Sequence, residues 1–238
     1  MILGLDTAGQ SGSVALVDGT QVLASFSLRH VPAFSAHLLR LVDFLCQQVD
    51  CRITAIDGLA VNLGPGGFTS LRVGLATAQG LAMAWGKPLV GCSAFEALAG
   101  LVEGWEGPIC PVLEAHRGEV YAALYRRDEQ HLRETTAGFV LSPEALCDLL
   151  PGQTLLLGNG VRAYRSQFAA LLGHRAVYLD SAHECGLAAS VARRGALMLQ
   201  TPPPEGWPLL QPLYIRAADA RLPRHPAVTP QQGVIASS

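Results

Sequence analysis

An apolar run over residues 58–63 feeds the segment Gly64-Pro65-Gly66-Gly67-Phe68-Thr69-Ser70-Leu71-Arg72-Val73-Gly74, and a long helical pattern follows at once. A strand that opens through a glycine turn into a helix is how an α/β chain brings backbone N–H groups up to a phosphate or another anion. Two known chemistries are excluded. Pro65 removes one N–H and no Gly-Lys-Ser/Thr closes the loop, so it is not a P-loop. Gly64 and Gly66 keep the dinucleotide spacing, but Thr69 stands where the third glycine belongs. The loop has the outline of a phosphate site without the residues that usually work in one.

Around it, strand and helix patterns alternate. Strands are predicted over 2–6, 13–17 and 21–27, the last two joined by an Asp18-Gly19 turn. A helix over 35–49 follows, with Leu38, Leu41, Val42, Leu45 and Val49 on one stripe. The strand at 58–63, a helix over 69–85 with Thr69 as its N-cap, a strand at 89–90 and a helix over 94–101 capped by Ser93 complete the half. Residues 104–108 read as a boundary, and beyond them the pattern restarts. Leu113-Glu114-Ala115 with Gly118-Glu119-Val120 echoes Leu5-Asp6-Thr7 with Gly12-Ser13-Val14. Each is a strand ending on an acid, a polar turn and a returning strand.

A helix over 143–150 (Ser142 at N-cap, Pro143 at N1), strands at 154–157 and 176–179, and helices over 161–172 and up to about 199 follow. Leu157-Gly158-Asn159-Gly160 reads as a plain strand-to-helix turn. The expectation is an α/β fold of two subdomains, 1–103 and 104–221, each a mixed sheet with helices, and a disordered 222–238 tail.

Charge is scarce: 15% of the 238 residues, against roughly 25% in an ordinary soluble protein. With 50% hydrophobic residues, that shortage points to a partner covering part of the surface or to a large apolar core. A formal net charge of −2 argues against a chain that grips a polyanion on its own. Cys46, Cys51, Cys92, Cys110, Cys147 and Cys185 include no Cys-x-x-Cys pair, and Met1 leads straight into a strand pattern without a secretory leader. They read as buried thiols of a cytoplasmic protein. The longest apolar helix, 71–85, is interrupted by Arg72, Thr77 and Gln79, so no membrane span is expected.

The glycine segment does not stand alone. Leu3-Gly4-Leu5-Asp6-Thr7 and Ser13-Val14-Ala15-Leu16 precede it; Glu114-Ala115-His116-Arg117-Gly118-Glu119-Val120-Tyr121 and Pro212-Leu213-Tyr214-Ile215-Arg216 follow. Together they closely resemble the bacterial TsaB (YeaZ) family, from Met1 to about Arg216, with the glycine motif as the specific part and a loose C-terminal fit. The resemblance implies a duplicated actin/sugar-kinase/Hsp70-like (ribonuclease H-like) fold. It implies a pseudo-enzyme that supports the catalytic TsaD in making threonylcarbamoyladenosine on tRNA. It also implies a heterodimer with TsaD, a homodimer when alone, the ATPase TsaE joining through the complex, and tRNA met only through the complex. The threonylcarbamoyl-AMP donor would come from a separate synthase. The family usually places a histidine before the serine matching Ser35; this chain has Phe34, and His37 reads as a surface helix residue.

In active members of that superfamily, two acidic hairpin turns grip the phosphates and magnesium of ATP. The first turn here keeps Asp6 and Thr7 beside Gly9 and Gly12, but the second, Glu114-Ala115-His116-Arg117-Gly118, puts bulky side chains where backbone must approach phosphate. Its carboxylate repels phosphate unless a metal bridges them. Asp6, Thr7, Gly64, Gly66, Glu114 and Arg117 therefore read as a degenerate phosphate site. No intrinsic cofactor is expected, and the place left for a nucleotide is the joint with TsaD. No two of the seven histidines stand at i, i+3 or i, i+4, whereas TsaD relatives carry His-x-x-x-His, so no metal site is expected. No Gly-x-Ser-x-Gly elbow is present.

Gly74, Ala78 and Ala82 recur every four residues, a smooth stripe on which another helix can lie close. Leu71, Leu75, Leu81 and Trp85 form a second, bulky face. One face for the core and one for a partner is the expectation, with Ser35, Leu38, Leu71, Arg72, Gly74, Leu75, Ala78 and Ala82 at the interface. The alternative packs the stripe under this chain's own sheet. With Thr69 as N-cap, Arg72 falls in the first helical turn, opposes the helix dipole and calls for an anion. The rival functions are an active small-molecule kinase or ATPase of the same fold, and a metallopeptidase.

Overall fold

The structure is a computed structural model that describes residues 1–9, 11–29, 34–128, 131–179, 186–200 and 209–215, with 34–36 described by their backbone only. Ile2–Asp6 (β1) is buried along its whole length at the centre of the first sheet. Ser11–Asp18 (β2) returns antiparallel to it and Gln21–Arg29 (β3) continues the meander. Gly58–Asn62 (β4) and Leu89–Cys92 (β5) add in parallel on the other side, giving the order β3-β2-β1-β4-β5. Strands covered on both faces must be apolar throughout rather than alternating, and Ile2-Leu3-Gly4-Leu5 and Leu59-Ala60-Val61 are.

The second sheet repeats this layout strand for strand. Ile109–Glu114 (β6) takes the central place, Val120–Asp128 (β7) and His131–Leu141 (β8) form the antiparallel side, and Thr154–Leu157 (β9) and Ala176–Leu179 (β10) the parallel side. Its order is β10-β9-β6-β7-β8. The duplication read from the two hairpin echoes is present.

Phe34–Gln48 (α1) and Phe68–Trp85 (α2) pack on the first sheet, and Ala94–Ala99 (α3) on β6, β7 and β8 of the second. Pro143–Leu149 (α4), Asn159–Ala163 (α5) and Arg165–Leu172 (α6) serve the second sheet, whereas Ala188–Leu199 (α7) returns to β1, β2 and β4 of the first. The halves thus exchange their last helices. Small residues allow it: a Cβ on Gly4 would stand 2.1 Å from the Ala188 carbonyl oxygen, and one on Gly195 would stand 2.4 Å from Ala60 Cβ. Ser190 Oγ donates to the Ala97 carbonyl at 2.5 Å, and Arg194 Nε to Glu96 Oε1 at 3.0 Å, so α7 and α3 are tied directly. Residues 209–215 also return, with Leu213 N–H donating to the Leu63 carbonyl at 2.7 Å.

The expected boundary at 104–108 therefore divides the strands but not the helices. One core holds Ile2, Ala60, Phe95, Ile109, Tyr125 and Val191 together. The strand β8 has no counterpart in the sequence reading. It is an edge strand exposed over most of its length, so no alternation marks it. The helix expected over 161–172 is two, α5 and α6, which meet at Tyr164 with φ −118 and ψ 23. The 222–238 tail, Cys185, Arg216 and the Ser35 side chain lie outside the described residues. Among the described residues, no helix is long and apolar enough to cross a membrane.

Candidate functional site

β1 ends on Asp6, which is 3% exposed. Its Oδ1 accepts the Ala8 N–H at 3.0 Å and Asn62 Nδ2 at 2.9 Å; its Oδ2 accepts the Leu187 N–H at 3.0 Å. Beside it Ser13 Oγ accepts the Ala188 N–H at 3.1 Å. Helix α7 begins at this point, and amide groups that a first turn leaves unpaired find acceptors on β1 and β2. Where a helix N-terminus would hold a phosphate, the chain has placed its own carboxylate. Burial raises the Asp6 pKa above the ordinary carboxylate value, against the three N–H donors, which lower it.

The glycine loop closes on the same turn. Gly67 N–H donates to the Ala8 carbonyl at 2.9 Å and Gly64 N–H to Asn62 Oδ1 at 2.9 Å. A Cβ on Gly66 would stand 2.2 Å from the Ala8 carbonyl oxygen. The absent side chain serves an approach of backbone to backbone. Thr7 Oγ1 donates to the Ser70 carbonyl at 2.8 Å, which binds α2 to the turn as well.

The second turn runs through His116, Arg117 and Gly118 at φ 60, 57 and 79. Two successive non-glycine residues in the left-handed region are uncommon. The turn is held by Ala115 N–H to the Glu119 carbonyl at 3.0 Å and Glu119 N–H to the His116 carbonyl at 3.1 Å, and Glu114 N–H donates to Asn159 Oδ1 at 3.0 Å. A cleft of about 570 Å³ lies between the two turns. Of the expected site residues, Asp6, Gly66 and Glu114 reach its wall, while Thr7, Gly64 and Arg117 do not. Arg29, Asn62, His116, Tyr121, Asn159 and Arg162 also line it. Among the described residues, no group of three His, Cys, Asp or Glu side chains is placed to hold a metal ion.

Helix α2 overturns two expectations. Its N-cap is Gly67, not Thr69, so Arg72 lies beyond the first turn. Arg72 stacks with Cζ 3.8 Å from the Phe68 ring centroid, and its Nε donates to Tyr214 Oη at 2.9 Å. The cation thus rests on aromatic groups of this chain, away from the first-turn position where the helix dipole would have opposed it. The small stripe is core: Ala78 is 0% and Ala82 8% exposed, and a Cβ on Gly74 would stand 2.0 Å from Thr7 Oγ1. Leu38, Leu71 and Leu75 are buried too. The physical reason is that α2 packs against both the sheet and α1, so both apolar faces turn inward. Its exposed side is Val73, Ala76, Gly80 and Met83, with Met83 85% exposed.

Residues 29–222 match the family described as TsaD, tRNA N6-adenosine threonylcarbamoyltransferase. The tRNA threonylcarbamoyladenosine biosynthesis protein TsaB of Escherichia coli (strain K12) is 34% identical over 174 residues, 68% of this chain and 73% of that protein. This chain belongs to the TsaB family. A crystal structure of an uncharacterized Pseudomonas aeruginosa protein with similarity to peptidase YeaZ superposes with a TM-score of 0.74 at 25% identity, covering 90% of this chain and 99% of that one. Component A of the Acidaminococcus fermentans (R)-2-hydroxyglutaryl-CoA dehydratase matches in fold alone, with a TM-score of 0.50 at 11% identity over 82% of this chain and 98% of that one. The two mixed sheets are those of the duplicated actin-like fold.

In this TsaB-family chain the residues that sequence reasoning missed are the ones that hold Asp6. Leu187 is 181 positions away and carries no local signal. Asn62 had one: a lone polar residue at the end of an apolar strand, just before the glycine loop. Arg162, which lines the cleft and is not among the groups that hold Asp6, follows the Gly158-Asn159-Gly160 turn that read as plain.

Proposed function

We propose that this TsaB-family chain is a non-catalytic subunit of the machinery that forms threonylcarbamoyladenosine on tRNA, and that it holds a TsaD-like transferase in working form. The observation that carries this reading is the Asp6 carboxylate, buried with both oxygens already accepting N–H donors. An acid that serves a phosphate-bound magnesium ion must turn its oxygens out to the metal or its waters, whereas three of this carboxylate's roughly four acceptor sites are taken by the chain's own N–H groups. The partner surface best suited to TsaD is the exposed side of α1 and α2, where Val73, Ala76, Gly80 and Met83 lie with Leu39, 57% exposed. A second copy takes that face when the chain is alone. TsaE joins through the complex, tRNA is met through TsaD, and any nucleotide belongs to the joint between the subunits.

Reconstitution with TsaD, TsaE, the threonylcarbamoyl-AMP donor and unmodified tRNA tests the reading. Modification is expected to require this chain, while the chain alone hydrolyses no ATP above background. Ala76→Arg is expected to fold like the unmutated protein but fail to co-elute with TsaD. Modification that proceeds without the chain would sink the proposal. The 570 Å³ cleft favours one rival, an active kinase or ATPase; calorimetric titration of the chain with Mg-ATP separates the two, since only the rival predicts a saturating heat followed by turnover.

A further inference from the structure

Helix α1 ends in a turn whose closing hydrogen bond joins two cysteines. Asp50 has φ 48, its N–H donates to the Gln47 carbonyl at 3.3 Å, and Cys51 N–H donates to the Cys46 carbonyl at 2.8 Å. This is the Schellman arrangement, in which the residue after the left-handed one folds back over the last turn of the helix. The two side chains at these positions of the motif are ordinarily apolar; here both are cysteines, and Cys51 Sγ donates to the Arg52 carbonyl at 3.4 Å. Cys46 is 7% exposed, whereas Cys51 is half-buried and packs against the cluster that contains Cys46. Burial first, then Cys51 and Asp43, push the Cys46 thiol up to about 11. Cys110 and Cys147 also neighbour each other, but both are buried and out of an oxidant's reach.

We propose that Cys46 and Cys51 form an oxidation site, a dithiol that a peroxide converts into an intramolecular disulfide across the C-terminal turn of α1. The 2.8 Å backbone bond brings the two residues together across one turn, the backbone proximity that a disulfide needs. Cys51, the more accessible thiol, is attacked first. Its sulfur bonds to one peroxide oxygen as the O–O bond breaks, the departing hydroxide takes up a proton to become water, and Cys51 becomes a sulfenic acid. The Cys46 sulfur then attacks the Cys51 sulfur; the S–S bond forms, the S–O bond breaks, and a second water leaves with the Cys46 proton. Two thiols have lost two electrons and two protons, and one peroxide has become two waters. This site stands on the turn geometry and does not depend on the functional reading above.

The full chain is treated with hydrogen peroxide, its remaining thiols are alkylated in denaturant, and it is digested with trypsin without reduction. Arg40 and Arg52 flank both cysteines, so residues 41–52 leave as one peptide. That peptide is expected unalkylated and two hydrogens lighter, and dithiothreitol restores its capacity to take two alkyl groups. In Cys46→Ser, Cys51 is expected to stop at the sulfenic acid and take up dimedone; in Cys51→Ser, Cys46 is expected to stay a thiol. The closed peptide is expected to persist in Cys185→Ser. A doubly alkylated peptide after peroxide, sulfinic acid at Cys51 beside an intact Cys46 thiol, or a bridge to Cys185 in the unmutated chain would each overturn the proposal.

Discussion

Asp6 accepts three N–H groups with two oxygens, and that count decides what a substitution does. In Asp6→Asn the amide keeps one oxygen for Ala8 and Asn62, but its NH₂ then faces the Leu187 N–H, donor against donor. The expected loss is about 1–3 kcal/mol of unfolding free energy, typical of leaving a buried donor unpaired. Urea titration measures it; an unchanged midpoint would mean that Asp6 is not structural. Arg72→Gln is expected to cost about 0.5–1 kcal/mol, because the stacking on Phe68 and the Tyr214 bond are lost. A variant as stable as the parent would return Arg72 to the role of a surface cation. The sequence showed Asp6 as an acid closing an apolar strand, yet held no hint that three N–H donors bind it, since the most distant comes from Leu187, the N-cap of α7. Arg72 was misplaced for a smaller reason: Thr69 looked like the cap, but Ser70 Oγ donates to the Gly67 carbonyl at 3.0 Å and the helix starts earlier.

Among the elements, α2 separates what periodicity can say from what it cannot. The stripe of Gly74, Ala78 and Ala82 was legible as a close-packing surface, and it is one. Spacing alone does not reveal that the surface facing it is this chain's own Thr7 and sheet. Gly74→Leu is therefore expected to destabilise folding by about 1–3 kcal/mol or more through overpacking. Met83→Arg, on the open side, is expected to change stability by less than about 0.5 kcal/mol. Thermal melts of the two variants check this; equal melting temperatures would place the stripe at the surface after all. Strand β8 was unreadable for the opposite reason, because an edge strand with one neighbour and most side chains in water has no pattern to display.

At the scale of the whole molecule, the duplication was readable from two short hairpin echoes because each half must rebuild the same sheet. The exchange of α3 and α7 was not readable, because an amphipathic helix announces that it packs and not on what. Its consequence is that the first sheet is incomplete without residues from the far end of the chain. Leu187 caps onto Asp6, Gly4 is shaped to receive Ala188, and Leu213 bonds to Leu63. A fragment of residues 1–103 carries all five strands of that sheet but leaves the α7 side of β1 and β4 open to water. Such a fragment is expected to show no cooperative urea transition and no near-ultraviolet circular dichroism, the two signs of fixed packing. Mixing it with residues 104–238 is expected to restore both, since the second fragment returns α7 to the first sheet and receives α3 in exchange. A fragment that unfolds cooperatively on its own would show that the first subdomain closes without α7, and that the crossed helices only decorate two independent units.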